Sequence, residues 1–198
     1  MRVLIVYGTT EGHTRELCNF AARELRQTGH TATVEEAGPD PNHPDPADYD
    51  VVFLAGSLHV GSYQPALVQY ARTHHEVLNA GHAAFISVSL SAAGENPHDW
   101  EGLEQCLSRF QHATLWTPRA VHQAAGAIRY SQYDFFKRLA LKHIASARGQ
   151  HTVTSRDYDL TDYGALWDFV RGFVADAGHR DTAAAARPRT IDPQPRPT

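Results

Sequence analysis

The chain has few of the features that mark a secreted, membrane-spanning or nucleic-acid-binding protein. Its two cysteines, Cys18 and Cys106, lie far apart and outside any C-x-x-C spacing, which indicates small buried side chains rather than a disulfide. No segment approaches the roughly 18 uninterrupted apolar residues of a membrane span, and the first residues lack the apolar run of a signal peptide. A net charge of −4 gives no general attraction to nucleic acid. We therefore expect one cytoplasmic α/β domain, at most peripheral to a membrane, without a nucleic-acid partner.

The histidines are numerous but do not form a metal-binding motif. The chain has 13 of them, and none forms an i, i+4 pair with an interposed Glu. His74 and His75 are adjacent, so their side chains point to different sides of a helix. We predict surface or local hydrogen-bonding roles for these histidines and no bound metal.

The first loop lacks the residues of two common nucleotide-binding motifs. An apolar run at 3–7 leads into a loop at 8–14 and a helix-like segment at 15–25, which predicts a strand, a loop and a helix. Gly12 is followed by His13 rather than Lys, and the three glycines of a dinucleotide fingerprint are missing, so a nucleoside triphosphate and NAD are both disfavoured.

A lysine-free loop with hydroxyl groups at a helix N-terminus suits a terminal phosphomonoester, as in FMN. The alternative is a hydroxyl-capped helix start without a ligand. The predicted phosphate-loop contacts are Thr9, Thr10, Glu11, Gly12, His13 and Thr14.

Strand and helix patterns alternate through the rest of the chain. This alternation predicts a doubly wound sheet of parallel strands. The first loop resembles that of the flavodoxins, and this resemblance implies a flavodoxin-like sheet of five strands in the order 2-1-3-4-5. The four later strands are predicted at 31–35, 51–57, 83–89 and 119–127, and the later helices at 65–78, at 99–111 and from 161 onward.

Two further loops follow strands three and four, and both are expected at the sheet edge that carries the first loop. In this strand order the ends of strands one, three and four surround the point where ligands bind. Leu58, His59 and Tyr63 are candidates for the faces of a flat ring, and ordinary loop packing is the alternative. The predicted contacts from these two loops are Ser57, Leu58, His59, Val60, Gly61, Tyr63, Ser89, Leu90, Ser91 and Gly94.

The segment after strand five is more than a five-stranded sheet requires. Its spacing predicts an added amphipathic helix over 131–148, with Phe135, Arg138, Leu139 and Lys142 on one face. A mixed apolar and basic face is typical of contact with lipid or with an anionic, apolar substrate, and a solvated helix face is the alternative. The domain is predicted to span 1–177, and the Ala-, Arg- and Pro-rich tail at 178–198 is predicted to be disordered.

Four stretches of sequence together resemble one known family. The chain from residue 1 to about residue 177 resembles the flavodoxin-like, menaquinone-dependent protoporphyrinogen IX dehydrogenases, and its last matching stretch, AGAIRYSQY, is the most specific. The resemblance implies FMN, removal of six electrons from a tetrapyrrole in haem biosynthesis, and a quinone acceptor at the cytoplasmic membrane face. The matching stretches are 7–16, 56–63, 85–90 and 125–133.

The resemblance also implies how the work is divided between protein and cofactor. The flavin would carry the redox step, so no catalytic side chain is expected. Candidates to pair with the substrate's propionates are Arg129, Lys137, Arg138 and Lys142. Two rival functions stay open: a flavodoxin that passes single electrons to protein partners, and an NAD(P)H-dependent FMN quinone reductase.

The chain departs from the family pattern at two places. The stretch 92–99 is short and acidic where the family's known members carry a long basic segment. Glu11 stands where flavodoxins commonly have Thr, and its charge is expected to turn away from the phosphate and leave binding to main-chain groups.

Overall fold

A parallel sheet of five strands lies at the centre of the fold, in the order β2-β1-β3-β4-β5. The prediction of a doubly wound sheet in this order is confirmed. The computed structural model describes residues 1–39, 43–128 and 158–185. Strands β1, β3 and β4 are buried along nearly their whole length, as expected for apolar strands covered on both faces. The strands are β1 (Arg2–Gly8), β2 (Thr31–Glu36), β3 (Val51–Ser57), β4 (Ala83–Ser89) and β5 (Val121–Ala125).

Five helices cover the two faces of this sheet within the described residues. Helices α1 and α5 pack on one face, and α2, α3 and α4 pack on the other. The single helix predicted at 65–78 is divided at His74, whose ring packs on that of Tyr70 with 4.5 Å between centroids. The helices are α1 (His13–Gln27), α2 (Pro65–Thr73), α3 (His75–Ala80), α4 (Pro97–Thr114) and α5 (Tyr163–Ala185).

The last helix begins where the sequence predicted and ends later. The Asp162 carboxylate accepts a hydrogen bond from the Ala165 N–H, and Leu166 and Val170 are fully buried against the sheet. The helix continues through Gly178 to Ala185, past residue 177, where the domain is predicted to end. Alanine is the strongest helix former, and the Ala-rich end of this segment explains the extension. Residues 186–198 lie outside the described part.

The strand predicted at 119–127 divides at Gly126. Its first part is β5, and its last part is a short strand β6 (Ala127–Ile128) that pairs antiparallel with β7 (Tyr158–Asp159). The chain changes its pairing partner at this point. The Gly126 N–H still donates a hydrogen bond to the Ser89 carbonyl of β4, but the next residue, Ala127, pairs with Asp159 of β7. The helix predicted over 131–148 lies outside the described residues.

Two glycines opposite each other in the sheet let α2 approach the strand ends. Gly8 and Gly56 are register partners on β1 and β3. A Cβ on Gly56 would lie 2.7 Å from Leu67 Cδ2 and 2.9 Å from Tyr63 Cδ1, and one on Gly8 would lie 2.8 Å from Gln64 Oε1. The residues at the start of α2 therefore pack directly against the main chain at the ends of β1 and β3.

Two further expectations can be compared with the fold. Cys18 and Cys106 are free and buried, as predicted. Within the described ranges, no helix is long and apolar enough to cross a membrane.

Candidate functional site

An open cleft of about 460 Å³ lies at the carboxyl ends of the central strands. This is the edge of the sheet where doubly wound folds bind their ligands. The cleft is lined by Thr9, Thr10, Glu11, His13, Thr14, Ser57, Leu58, His59, Val88, Ser89, Leu90, Gly126 and Ala127. All three loops selected from the sequence contribute to it.

The first loop turns sharply into α1 at Gly12. This glycine has φ of +84°, a backbone conformation that favours glycine, and its N–H donates to Thr9 Oγ1 at 2.9 Å. Gly12 itself does not line the cleft. The N–H groups of the first helical turn have no partner within the helix, and they carry the positive end of its dipole. The start of α1 therefore presents beside the cleft N–H donors that the helix itself does not use.

Thr14 supplies a buried hydroxyl in that first turn. The residue is 0% exposed, and its Oγ1 has no hydrogen-bond partner in the part of the chain that the structure describes. Leaving a buried hydroxyl unpaired costs about 1–3 kcal/mol, so such atoms are uncommon without a ligand or water. A phosphate oxygen bound at the helix N-terminus would satisfy it. The residues present therefore fit a phosphomonoester.

Glu11 also lines the cleft, and one of its carboxylate oxygens needs a donor. Its Oε1 is buried and has no hydrogen-bond partner among residues 1–39, 43–128 and 158–185. An unpaired carboxylate beside a phosphate would repel it. That this charge turns away from the phosphate stays a prediction.

Gln64 joins two of the loops and was not selected from the sequence. Its side-chain N–H₂ donates to Thr10 Oγ1 at 3.0 Å and to Ser57 Oγ at 2.7 Å. Both acceptors belong to residues that line the cleft. The available signal was its place directly before Pro65, the expected first residue of a helix at this sheet edge.

The side chain of His13, the first residue of α1, lies against the part of the chain that includes β7 and the residues after it. Its Nε2 lies 2.8 Å from Thr161 Oγ1 and 3.5 Å from Asp159 Oδ1, and its Nδ1 lies 3.4 Å from Glu16 Oε2. The side chain is nearly buried, with 7% of the residue exposed. The phosphate loop is thus fastened to residues about 150 positions later in the chain.

Asp159 organises the other side of this contact. Its carboxylate accepts hydrogen bonds from the Thr161 N–H at 3.0 Å and from the Tyr163 hydroxyl at 2.7 Å. Burial alone would raise the pKa of Asp159, but these hydrogen bonds and the neighbouring His13 hold it below its usual value. Burial and the Asp159 carboxylate raise the pKa of Tyr163 to about 12.

The loop after β3 contributes two predicted residues to the cleft and then forms an exposed turn. Leu58 and His59 line the cleft, as predicted. Beyond them the chain makes a tight turn closed by two backbone hydrogen bonds between His59 and Ser62. Val60 stands at the tip with φ of +48° and 86% exposure, and neither it nor Gly61 lines the cleft. A β-branched residue in the left-handed region is strained.

Tyr63 is a core residue rather than a wall of the cleft. It is buried between Phe85 and Phe110, and its hydroxyl lies 2.9 Å from Ser87 Oγ. Burial raises the pKa of Tyr63 to about 12. This geometry therefore does not support the expected contact between the Tyr63 ring and a flat ligand. The ring occupies, with Leu67, the space that Gly56 leaves free by having no side chain.

The loop after β4 contributes fewer residues than predicted. Ser89 and Leu90 line the cleft, whereas Ser91 and Gly94 lie in and after a short 3₁₀ turn and do not. Three cleft residues were missed, and the signal for two of them was their place just after strand five at the same edge. The missed residues are Val88, Gly126 and Ala127. The predicted substrate contacts lie outside the described residues, namely Arg129, Lys137, Arg138 and Lys142.

With this geometry established, comparisons with known proteins identify the family. A family model described as the flavodoxin domain matches residues 4–155. The chain belongs to the flavodoxin domain family. A flavin is therefore the cofactor that the fold implies. The solved structure of oxidised Flavodoxin 1 from Bacillus cereus is similar in fold, with a TM-score of 0.53 and 12% identity over 88% of this chain and 98% of that one.

Relatives with known names place the chain in a narrower group of proteins. The chain is 30% identical over 195 residues to the Leishmania major protein named protoporphyrinogen IX dehydrogenase [quinone], a match that covers 98% of this chain and 79% of the relative. It is 29% identical over 179 residues to the Escherichia coli K12 protein of the same name, covering 90% of this chain and 96% of the relative. The chain belongs with these flavodoxin-domain oxidoreductases, as its sequence motifs indicated.

Proposed function

We propose that the chain binds FMN and oxidises protoporphyrinogen IX to protoporphyrin IX, with a quinone as electron acceptor, in haem biosynthesis. The observation that carries the proposal is the extent of the similarity. The match to the Leishmania major protein includes 98% of this chain, and so it includes the segment after β5 that a plain flavodoxin sheet does not require.

FMN is proposed over FAD because the cleft ends in a loop suited to a terminal phosphate. The backbone of residues 9–14 would donate N–H groups to that phosphate, and the unpaired Thr14 hydroxyl would become a further donor. Bound FMN supplies the redox chemistry, accepting electrons from the reduced tetrapyrrole and passing them to the quinone.

The protein's part is to hold the ring and limit the access of water. Leu58 and Leu90 are the half-buried apolar residues of the cleft on the β3 and β4 loops. Their side chains would cover a flat ring while Ser57 and Ser89 offer polar groups near its edge. Ser89 is already ordered, since its Oγ accepts a hydrogen bond from the Ala92 N–H.

The two propionates of the proposed substrate are anionic, so we expect cationic side chains near the open side of the cleft. Ala127 lines the cleft, and Ile128 pairs with Tyr158, so the chain leaves this site after β6 and returns to it at β7. We propose that Arg129, Lys137, Arg138 and Lys142, which lie between these strands in sequence, pair with the propionates or with anionic lipid. The second role would make the protein peripheral to the membrane.

An anaerobic redox experiment separates this function from its rivals. Flavin-loaded protein should lose its oxidised-flavin absorbance on addition of protoporphyrinogen IX and regain it with a menaquinone analogue. Flavin that stays oxidised with the porphyrinogen but is reduced by a reduced flavodoxin reductase would instead establish a single-electron carrier. Rapid reduction by NAD(P)H alone would establish a quinone reductase.

The cofactor itself is tested by denaturing the purified protein and separating the released flavin. We expect FMN in a one-to-one ratio. Recovery of FAD, or an apo protein whose melting temperature FMN does not raise, would contradict the phosphomonoester interpretation.

A further inference from the structure

Two buried polar atoms at the phosphate end of the cleft have no partner among the described residues. One is the Thr14 hydroxyl, in a residue that is 0% exposed, and the other is Oε1 of Glu11. Both residues line the cleft. Buried polar groups in folded proteins are nearly always hydrogen-bonded, so two unpaired groups in one cleft indicate a ligand that supplies their partners.

The two atoms need different groups from that ligand. The Thr14 hydroxyl can donate a hydrogen bond, and the proposed phosphate would accept it. The Glu11 carboxyl group keeps an acceptor oxygen whether or not it is ionised, and a fully ionised phosphate has no proton to donate to it. The ligand therefore has to carry hydrogen-bond donors close to its phosphate.

The donors that FMN carries next to its phosphate are the hydroxyl groups of its ribityl chain. The other donor of FMN, the N–H group of its ring, is at the far end of the molecule. Side chains of the protein do not take this role. The Gln64 N–H₂ is already bonded between two loops, and Oε1 of Glu11 stays unpaired although the Arg15 guanidinium extends to beside Gly12.

We propose that Glu11 accepts a hydrogen bond from the ribityl chain of FMN, while Thr14 donates one to the phosphate. This proposal rests on the proposed FMN site. Glu11 directly precedes Gly12, where the chain turns into α1, so it lines the cleft next to the N–H groups proposed to hold the phosphate. The pair would select a phosphate that is attached to a polyol. This role gives a reason for an acidic residue in a loop that binds an anion.

The affinity for FMN alone does not reveal this hydrogen bond. A carboxylate also repels a nearby phosphate, so Glu11→Leu would remove an attraction and a repulsion together. Two ligands separate these effects: FMN, and an analogue in which a plain pentyl chain joins the ring to the phosphate. Electrostatic effects on the phosphate are common to both ligands and cancel in the ratio of their dissociation constants.

The measured quantity is the dissociation constant of the analogue divided by that of FMN, at one fixed pH. In the parent protein this ratio includes the hydrogen bond from the ribityl chain to Glu11. In Glu11→Leu the ratio should fall roughly tenfold, the size expected for a hydrogen bond to a carboxyl group. Glu11→Gln keeps a carbonyl acceptor, and its ratio should lie between those of the parent and Glu11→Leu.

Thr14→Val is the matched control, because it removes the other unpaired group of the same cleft. It should weaken the binding of both ligands by the same factor and leave their ratio unchanged, since both carry the phosphate that Thr14 is proposed to contact. The apo form of Glu11→Leu should melt within a few degrees of the parent, because Oε1 of Glu11 has no partner to lose in the described chain.

A second measurement uses the parent protein and does not require that Glu11→Leu folds. In protein isotopically labelled at glutamate, the carboxyl-carbon resonance of Glu11 is assigned by its loss in Glu11→Gln. This resonance should shift when FMN binds and should shift less with the pentyl analogue. Equal shifts with the two ligands would overturn the proposal.

The outcomes separate this proposal from the proposed function. A ratio that Glu11→Leu leaves unchanged would overturn the ribityl contact and leave FMN binding intact, and the side chain would then act on the phosphate or within the loop. A parent protein that binds neither ligand would overturn the proposed function, and the ribityl contact with it.

Discussion

The two ends of the cleft are built in different ways. At the phosphate end, Thr14 and His13 are buried, and hydrogen bonds join the loop to Gln64 on one side and to Thr161 on the other. At the ring end, His59 is exposed and the turn after it carries the exposed Val60. Side-chain hydrogen bonds hold the first end, and the second end is exposed to solvent.

This difference matches the two tasks of the proposed enzyme. A cofactor that stays bound over many turnovers needs a rigid grip on the part that does not react, and that part of FMN is its phosphate. The reacting ring must be reached in turn by a tetrapyrrole and a quinone, both large and apolar, so its end of the cleft has to stay accessible. The following predictions test this division, beginning with the largest expected effect.

Thr14→Val should separate ligand binding from stability at the phosphate end. Loss of the hydroxyl should weaken FMN binding by about 1–3 kcal/mol, and the apo protein should melt no lower than the parent because the removed hydroxyl has no partner in the described chain. Fluorescence titration and thermal melting check the two effects.

Thr114 provides the control for that change. It is equally buried, but its hydroxyl donates to the Phe110 carbonyl at 2.9 Å. Thr114→Val should therefore lower stability by about 1 kcal/mol and leave FMN affinity unchanged. If Thr14→Val keeps full FMN affinity, Thr14 serves packing alone, and the phosphate end is less specific than we propose.

The cations of the segment after β5 test the open end. Replacing Arg138 and Lys142 together by Gln should weaken sedimentation with anionic vesicles by roughly thirtyfold, since each contributes about 1 kcal/mol near such a surface. Neutral vesicles should show little change, and FMN content should stay constant.

A second double variant controls for net charge in that experiment. Arg23 and Arg171 are exposed on α1 and α5, and replacing both by Gln removes the same charge elsewhere. Equal losses in the two double variants would mean that only overall charge matters. A parent protein that ignores anionic vesicles would remove the membrane role, and full porphyrinogen turnover in Arg138→Gln/Lys142→Gln would remove the substrate role.

Gln64→Leu should loosen the link between the phosphate loop and the loop after β3. The loss of its bonds to Thr10 and Ser57 should weaken FMN by about 1 kcal/mol. Gln69→Leu is the control, because Gln69 lies on the exposed side of α2 and donates a hydrogen bond to Thr73 within that helix, and it should leave the affinity unchanged. Equal affinities for both variants would show that the two loops are held independently.

Tyr163→Phe is expected to have the smallest effect. The lowered pKa of Asp159 means that its contribution to stability is present above its usual pKa of 3.8 and is lost as the pH falls through the folded-state value. The variant lacks the hydroxyl donor to Asp159, so it should be less stable by up to about 1 kcal/mol near neutral pH, with the difference fading below about pH 4. Urea unfolding at both pH values measures this, and a difference that persists in acid would show that the effect does not depend on the ionised Asp159 carboxylate.

The sequence allowed prediction of those features that depend on local pattern. The buried runs of β1, β3 and β4 and the helix spacing between them predicted a doubly wound parallel sheet, and the place of the first loop after β1 predicted that it would lie at the ligand-binding edge. These features rest on residues close together in sequence, where periodicity and motif spacing are informative.

Features that depend on distant residues could not be predicted in this way. Gln64 meets Thr10 across 54 positions and His13 meets Thr161 across 148, and no local pattern encodes either contact. Tyr63 was taken for a cleft residue because its position in a loop was visible, whereas the space left by Gly56 and the ring of Phe85 was not. The division of the last predicted strand at Gly126 likewise depends on β7, a partner more than 30 residues later.

The antiparallel pairing of β6 with β7 brings together the two ends of the sequence that lies between them. Ile128 and Tyr158 are register partners, so their Cα atoms lie at the ordinary cross-strand separation of about 5 Å. A two-residue Asn-Gly turn could join them directly as a hairpin. The shortened chain would keep the cleft residues from Thr9 to Ala127 that the structure describes and the His13 contact with Thr161, yet lack the four cations proposed for substrate or lipid. Such a protein would be a minimal flavin-binding core, a natural host into which other substrate-recognition segments could be inserted.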